Sequence, residues 1–223
     1  MNNNFFLNNG YFIVRNAFPK KLLKEIQSIT NKNVYNLKKK GSPKVNNYKN
    51  FCSNLKKINN NFFLLNKKLQ SSLIYNKIYQ KIFTSKKFYK NIINILGKDL
   101  AFCDEPTINI NLPSNFLKKN YYFKDWHQEI WSGASVNSLQ MWTPMFQKSN
   151  TYGQMELMCK SHTFGMIPNR NRKPTLLPKK YKTVKLNLEV GDCILFSTLL
   201  LHRSMPTLST RLALAYSIKN FKF

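Results

Sequence analysis

Histidine and carboxylate side chains are scarce in this chain, which has 3 histidines and 9 acidic residues among 223. The stretch DWHQEIW, residues 125–131, nevertheless places His127 and Glu129 two positions apart. If this stretch is a β-strand, side chains two positions apart point to the same face, so His127 and Glu129 project together and Gln128 points away. An imidazole and a carboxylate side by side are two neighbouring ligands for a divalent metal ion.

A third ligand must come from another part of the chain, and His202 is the candidate. It ends the apolar run CILFSTLLLH, after which Pro206 breaks the pattern and Arg211 opens a new strand. Two histidines and one carboxylate on one face of an octahedron are the ligand set of iron(II) oxygenases, which leaves open positions for a cosubstrate and dioxygen. His162 and Glu156, in MELMCKSH, form a further pair that could ligate a metal.

The strand that begins at Arg211 has two unlike faces. Counting by twos, one face carries small side chains and the other carries bulky ones: Ala213, Ala215 and Ser217 against Leu212, Leu214, Tyr216 and Ile218. We interpret the small face as a cavity wall, and we expect the bulky face to pack on an outer layer or on N-terminal helices. In such a cavity the planar guanidinium of Arg211 is suited to hold a dicarboxylate through two parallel hydrogen bonds.

The elements that would hold these residues are mainly helical in the first part of the chain, residues 1–97. Apolar residues three or four positions apart indicate the helices, and Pro and Gly mark their ends. The predicted elements are a strand over 11–15, a helix that begins near Pro19, a Lys/Asn-rich loop near 32–60, and helices over 69–83 and 85–96, the last capped by Gly97.

Residues 98–223 are predicted to form a β-rich catalytic core. Short runs of β-forming residues, separated by Pro, Gly, Ser and Asn, follow one another as antiparallel sheets require. Helices first and strands afterwards favour an α+β fold, a double-sheet jelly roll with the N-terminal helices packed on its outer sheet, over an alternating βαβ design. A length of 223 residues gives no reason to expect more than one domain.

The charge of the chain is unusual, because 36 Lys and Arg against 9 Asp and Glu give a formal net charge of +27. Such an excess attracts phosphates, anionic lipid surfaces or acidic metabolites. The bias towards Asn, Lys, Ile, Phe and Tyr that an AT-rich genome imposes explains the scattered lysines better than a dedicated nucleic-acid face, since no zinc-finger or RNA-recognition signature accompanies them. Nucleic acid nevertheless stays open as a partner.

Other classes of protein find no support in the sequence. The four cysteines include no CxxC pair, so we expect reduced thiols and neither a zinc knuckle nor a redox motif. The N-terminal segment lacks a basic leader, and no apolar run reaches the roughly 18 residues of a spanning helix. We therefore expect a cytoplasmic protein without a transmembrane segment, and the sequence does not indicate an oligomeric state.

Several of these stretches resemble the phytanoyl-CoA dioxygenase family of Fe(II)/2-oxoglutarate-dependent oxygenases. The likeness spans most of residues 9–218, except near 32–60, and its motifs are NNGYFIVRNAFPKKLLKEI, DWHQEIW, GQMELMCKSHTFG and EVGDCILFSTLLLHRSMPTLSTRLALAYSI. The resemblance implies a double-stranded β-helix, a cupin-like jelly roll with iron in its mouth. It also implies 2-oxoglutarate and dioxygen as cosubstrates.

The resemblance assigns roles to individual residues by motif matching. His127, Glu129 and His202 take the positions of the family's HxD…H metal ligands, and Ser204 and Arg211 take those of the serine and arginine that hold the distal carboxylate of 2-oxoglutarate. A preceding strand of the family often adds a polar contact to this cosubstrate, for which three residues on one face of TININ are candidates: Thr107, Asn109 and Asn111. In similar proteins the counterpart of His162 supports a loop over the site.

Two departures from the family pattern stand out. The usual carboxylate is Asp where this chain has Glu129, a choice that some oxygenases of the wider superfamily share, and a carboxylate here argues against halogenation. The interval from His202 to Arg211 is also shorter than is common in the family.

The implied reaction couples oxidative decarboxylation of 2-oxoglutarate to hydroxylation of a C–H bond in a small metabolite, for which an acyl, sugar or lipid derivative with negative charge suits the basic chain. Aromatic residues near the motif either line the substrate pocket or belong to the core: Tyr121, Tyr122, Phe123, Trp126, Trp131 and Trp142. Two alternatives stay open, a metal-free jelly-roll binding protein and a basic oxygenase that acts on nucleic acid.

Overall fold

The computed structural model describes residues 3–37, 48–58, 62–111, 125–147, 155–177, 181–205 and 209–221. Within these residues the helices are α1 (Asn3–Asn9), α2 (Lys20–Leu37), α3 (Tyr48–Ile58), α4 (Phe62–Tyr75), α5 (Ile78–Phe83) and α6 (Lys86–Leu96). The strands are β1 (Tyr11–Val14), β2 (Leu100–Phe102), β3 (Thr107–Asn111), β4 (Ser138–Phe146), β5 (Met155–Met158), β6 (Asn169–Arg170), β7 (Lys173–Pro174), β8 (Thr183–Lys185), β9 (Cys193–Ser197), β10 (His202–Ser204) and β11 (Arg211–Asn220). In this part of the chain no helix is long and apolar enough to cross a membrane.

The predicted loop near 32–60 is wrong over most of its length. Helix α2 continues to Leu37 and α3 fills much of the rest, while residues 38–47 and 59–60 lie outside the described residues. Val34 on α2 and Phe51 and Leu55 on α3 are fully buried. A few apolar residues at helical spacing are thus enough to dock a Lys- and Asn-rich segment, because only one face of a helix needs to be apolar.

The later helices follow the prediction with one interruption. The predicted helix over 69–83 begins earlier, at Phe62, and divides into α4 and α5 where Lys77 adopts a left-handed conformation with φ 51°. Helix α6 ends as predicted at Gly97, whose φ of 84° suits glycine and whose N–H donates to the carbonyl of Ile93 at 2.9 Å.

The strands form antiparallel sheets, as predicted for the second part of the chain. The largest has the order β1-β9-β4-β11-β2, with β3 also paired to β11. A second sheet has the order β10-β5-β8, and β6 and β7 form a separate two-stranded hairpin. The mixture of helices with antiparallel sheets confirms the α+β class.

The large sheet separates two hydrophobic clusters. On its outer face the bulky side chains of β11 join the helices in one cluster, which includes Leu212, Leu214, Tyr216 and Ile218 with Ile26, Leu69, Ile82 and Phe88. On its inner face a second cluster joins the two sheets and includes Trp142, Phe196 and Ala213 with Met155 and Leu157 of β5. The helices therefore pack on the outer sheet face, as the alternation along β11 predicts, and the inner face is left for the site.

Candidate metal centre and cavity

The two candidate histidines are joined through their backbones. The N–H of His127 donates to the carbonyl of His202 at 3.0 Å, and the N–H of His202 donates to the carbonyl of His127 at 3.1 Å. The predicted strand around DWHQEIW is only this single bridge, because Glu129 already begins a 3₁₀ turn, Glu129–Ser132. His127 and Glu129 nevertheless project together, as expected, while the side chain of Gln128 turns away from them to the carbonyls of Gly165 and Leu199.

His127, Glu129 and His202 converge at one point. Oε1 of Glu129 lies 3.2 Å from Nε2 of His202 and 3.4 Å from Nε2 of His127, and the potential ligand atoms of all three residues lie within 4.8 Å of one another. Neighbouring ligands on an octahedron with bonds of about 2.1 Å are about 3 Å apart, so the spacing suits a metal ion.

The orientation of both imidazole rings is fixed by the backbone. Nδ1 of His127 lies 2.7 Å from the carbonyl of Asp125, and Nδ1 of His202 lies 3.0 Å from the carbonyl of Leu200. A carbonyl only accepts, so each Nδ1 carries a proton, and each Nε2 faces the Glu129 carboxylate, where it can serve as a metal ligand. Two ring nitrogens and a carboxylate oxygen this close need a positive charge between them, which a metal ion or a proton can supply. The donor set therefore fits a divalent metal.

A cavity of about 270 Å³ opens beside this triad. Its wall includes the predicted residues Thr107, Asn109, Ser204 and Arg211, together with residues that the sequence did not single out: Ser132, Gln140, Met155, Arg172 and Phe196. Ser204 reaches it because it lies two positions after His202 on β10, on the same face. Strand β11 contributes Ala215 as well as Arg211, so the interpretation as a cavity wall holds for these two residues. Ala213 packs in the inner hydrophobic cluster instead, and Ser217 is not among the residues that line the cavity.

Arg211 is a buried cation in this wall, with only 4% of its surface exposed. Its guanidinium lies 5.0 Å from the centre of the Trp142 ring, and its NH2 donates to Oδ1 of Asn111 at 2.8 Å. Burial lowers the pKa of Arg211 to about 10, so the side chain stays charged at neutral pH. Asn111, predicted to face the cosubstrate, lies opposite Arg211 in the β3–β11 register and contacts the guanidinium instead of lining the cavity.

The alternative metal pair of His162 and Glu156 is wrong. Glu156 accepts from Nε of Arg203 at 2.7 Å across the β5–β10 register, and the guanidinium of Arg203 also lies 4.6 Å from the Trp126 ring centre. Nε2 of His162 lies 2.9 Å from the carbonyl of Leu7, so this histidine contacts the N-terminal segment. Neither side chain belongs to the metal-ligand group found among the described residues.

Gln128 is a supporting residue to which the sequence assigned no role. It is 0% exposed, and its Nε2 donates to the carbonyls of Gly165 at 2.9 Å and Leu199 at 2.5 Å, while its Oε1 accepts from the N–H of Ile167 at 2.8 Å. The signal was its position, because an amide between two ligand candidates must satisfy its polar groups wherever it is buried.

The aromatic residues considered for the substrate pocket lie in different environments. Trp142 lines the cavity, whereas Trp126 and Trp131 pack in a small cluster with Met158, Ile167 and Leu201. Tyr121, Tyr122 and Phe123 lie outside the described residues. All four cysteines are free thiols, as expected.

The chain belongs to the phytanoyl-CoA dioxygenase (PhyH) family, whose family model matches residues 6–213. No curated protein matches the sequence. Among solved structures, the epimerase SnoN in complex with Fe3+, alpha ketoglutarate and nogalamycin RO is 13% identical, with 98% of this chain and 82% of that chain covered and a TM-score of 0.67. The non-heme monooxygenase ThoJ in its apo form is 15% identical, with 96% and 75% covered and a TM-score of 0.63. AviO1 from Streptomyces viridochromogenes is 10% identical, with 98% and 93% covered and a TM-score of 0.57. These likenesses establish a shared fold.

Proposed function

We propose that this protein is an Fe(II)/2-oxoglutarate-dependent dioxygenase that hydroxylates a C–H bond of a small metabolite. The observation that carries the proposal is the convergence of His127, Glu129 and His202 beside a cavity whose wall contains the buried cation Arg211. Within this proposal residues 1–223 form one catalytic domain, and the two facing sheets are those of a double-stranded β-helix.

His127, Glu129 and His202 are the proposed iron ligands. When bound, iron couples decarboxylation of 2-oxoglutarate by dioxygen to oxidation of the substrate. The protein supplies two imidazoles, each held by a backbone carbonyl, and one carboxylate. With only three protein ligands, a bound metal would keep further positions free for small molecules. Glu129 takes the place of the family's usual aspartate, and it reaches both histidines from the start of a 3₁₀ turn.

Arg211 is the proposed partner of the distal carboxylate of 2-oxoglutarate. A buried guanidinium binds a carboxylate strongly because little water competes for its donors. Asn111 positions the guanidinium through the bond at 2.8 Å, and the hydroxyl of Ser204 and the polar groups of Thr107 and Asn109 line the same cavity. Support for the cosubstrate comes from the fold shared with the SnoN complex that contains alpha ketoglutarate.

A small-molecule substrate is proposed in preference to nucleic acid. The cavity of about 270 Å³ has room for a metabolite beside the metal, and the similar SnoN structure holds a small molecule, nogalamycin RO. Similar folds also include a carbocyclase, SnoK, with 10% identity, 98% and 82% of the two chains covered and a TM-score of 0.56. Hydroxylation is therefore tested by analysis of the product.

The first experiment asks whether iron and the keto acid bind together at this site. Under anaerobic conditions, Fe(II) plus 2-oxoglutarate should give a weak visible charge-transfer band in the wild-type protein and none in His127→Ala. His162→Ala is the matched control and should keep the band, because His162 contacts Leu7 and not the metal site. A band that survives in His127→Ala, or that the wild type lacks, contradicts the proposal.

The second experiment identifies the reaction. Metabolite mixtures are incubated in air with the protein, iron and 2-oxoglutarate, and mass spectrometry searches for products that have gained one oxygen atom. The gain should require both iron and the keto acid. A product without added oxygen, such as an epimer or a cyclised compound, would show that the site does not act as a hydroxylase.

A further inference from the structure

The cavity wall carries one more positive charge than the proposed metal, keto acid and carboxylate can balance. Among the described residues that line it, the titratable side chains are His127, Glu129, Arg172, His202 and Arg211. With the proposed function, a divalent cation, the Glu129 carboxylate, the dianionic keto acid and Arg211 together carry no net charge. Arg172 is then left as a positive charge in the cavity wall without a counter-charge among these groups.

Among the described residues, no carboxylate forms an ion pair with Arg172. Arg203, in contrast, is paired with Glu156, and Arg15 is paired with Asp192. Its side chain is exposed, whereas Arg211 on the same wall is buried. Arg172 therefore lies where the cavity opens to solvent, at the position that an entering substrate meets.

The backbone presents Arg172 at the tip of a tight hairpin. Strands β6 and β7 are joined by Asn171 and Arg172, whose φ angles of 53° and 59° are both positive. Two positive φ angles define the type I′ hairpin turn, in which the second position normally holds glycine. An arginine at this position is unfavourable for the backbone, so the turn itself does not explain the choice of residue.

The hairpin belongs to a segment that is tied to the metal motif. We call residues 165–175 the rim segment. Gln128 bonds to Gly165 and Ile167, and Nε1 of Trp131 donates to the carbonyl of Ile167 at 3.0 Å. At its other end the N–H of Thr175 donates to the carbonyl of Pro168 at 3.0 Å. Because Gln128 and Trp131 flank Glu129 in sequence, the rim segment holds a fixed place relative to the proposed iron ligands.

We infer that Arg172 binds an anionic group, a carboxylate or a phosphate, of the substrate at the mouth of the cavity. This inference rests on the proposed function, since the substrate is the molecule that occupies the cavity beside the metal and the keto acid. The guanidinium matches either anion through two parallel hydrogen bonds. Arg172 is thus a substrate-binding residue that selects for charge and holds one end of the molecule while another part lies near the metal.

Three variants separate the charge of Arg172 from its effect on the fold. Arg172→Asn removes the charge and suits the turn, because asparagine tolerates positive φ. Arg172→Lys keeps the charge without the planar fork. Arg170→Gln is the matched control, since it removes one positive charge from the same hairpin at a residue that does not line the cavity.

The experiment measures binding, so it does not depend on turnover. Protein loaded with Zn(II) and 2-oxoglutarate is titrated, by calorimetry or ligand-observed NMR, with acids and their uncharged partners. The probes are octanoate with 1-octanol, phenylacetate with 2-phenylethanol, and glucose 6-phosphate with glucose. The first two pairs report on a carboxylate and the third on a phosphate.

We expect at least one acid to bind the wild type more tightly than its uncharged partner. Arg172→Asn should raise the Kd of that acid about tenfold and leave the Kd of the alcohol unchanged, Arg172→Lys should restore part of the affinity, and Arg170→Gln should behave as wild type. The inference is overturned if no acid binds, if alcohols bind as well as acids, or if Arg172→Asn leaves the acids unaffected.

Failure of the proposed function would look different. If Arg172 binds the keto acid and not the substrate, Arg172→Asn will weaken the binding of 2-oxoglutarate and leave the binding of the probe acids unchanged. In that case the inference is wrong, although the proposed function stands. If the wild type shows no charge-transfer band with Fe(II) and 2-oxoglutarate, the oxygenase proposal fails, whatever the difference between acids and alcohols.

Discussion

The two faces of strand β11 have opposite properties, although they alternate residue by residue. The outer face places Leu212, Leu214 and Tyr216 in the cluster with the helices, whereas the inner face places Arg211 and Ala215 along the cavity. Side chains of the outer face fill space, whereas the inner face packs at Ala213 and leaves space open beside Arg211 and Ala215. The alternation therefore divides one strand between holding the fold together and providing a site.

The two faces also differ in what they contribute to stability. Full burial of a leucine on the outer face contributes about 1.5–3 kcal/mol. Arg211 acts in the opposite direction, because burial lowers its pKa from the usual arginine range to about 10 in the folded state. The unfolded chain thus binds the proton more tightly, and below pH 10 the buried charge reduces the free energy of unfolding. That cost is relieved as the pH rises above about 10, where the folded state releases the proton before the unfolded chain does.

The largest expected effect of a single substitution is on metal binding, at the site beside the inner face of β11. Glu129→Ala should weaken Fe(II) binding by more than about 100-fold, because it removes a metal ligand and not merely a supporting group. The free energy of unfolding should change little, since the side chain is partly exposed. Metal titration and denaturant unfolding check both expectations, with the exposed Glu189→Ala as control. Equal metal affinity in the two variants would contradict the assignment of Glu129.

Leu214→Ala tests the outer face. Loss of a buried leucine should lower the free energy of unfolding by about 2–5 kcal/mol, while the metal and 2-oxoglutarate affinities of the folded protein stay unchanged. Leu176→Ala, which shortens an exposed leucine, should have little effect on unfolding. A variant that remains stable but loses affinity for the keto acid would break the division between the two faces.

Arg211→Lys tests the inner face without removing its charge. The lysine lacks the planar fork, so we expect the KM for 2-oxoglutarate to rise about tenfold while kcat stays close to wild type. Steady-state kinetics with the keto acid as the varied substrate measures this split. A fall in kcat at unchanged KM would show that Arg211 does not bind the keto acid.

Asn111→Ala should give the smallest of these effects. It removes the acceptor at 2.8 Å from Arg211 NH2 without touching the cavity wall, so the KM for 2-oxoglutarate should rise only a few-fold, by about 3-fold for a loss of roughly 0.7 kcal/mol. An effect larger than that of Arg211→Lys would mean that Asn111 contacts the keto acid directly.

The pairing of His127 with Glu129 and the two faces of β11 could be predicted from the sequence because both follow from local geometry. Side chains two positions apart share a face, and that rule places Glu129 with His127 even though the local structure is a bridge followed by a 3₁₀ turn. The distant candidate ligand, His202, was recognised by the end of its apolar run and by the family motif. The roles of the individual site residues stay predictions until the variants are measured.

Features that depend on contacts between distant parts of the chain could not be predicted from the sequence. Helix α3 in the Lys/Asn-rich stretch is decided by packing of Phe51 and Leu55, which the composition conceals. The role of Gln128 depends on carbonyls 37 and 71 residues away. Arg172 is brought to the cavity by a two-residue turn whose place on the molecule no local pattern specifies.

The backbone bridge between His127 and His202 has a consequence for metal uptake. The peptide groups of both histidines, and both Nδ1 atoms, are held by hydrogen bonds that need no ion. Capture of the metal therefore requires little ordering of the chain, in contrast to small zinc domains that fold only around their ion. A chelator such as EDTA should strip this protein to a folded form with an unchanged circular dichroism spectrum, ready to be reloaded with other divalent ions.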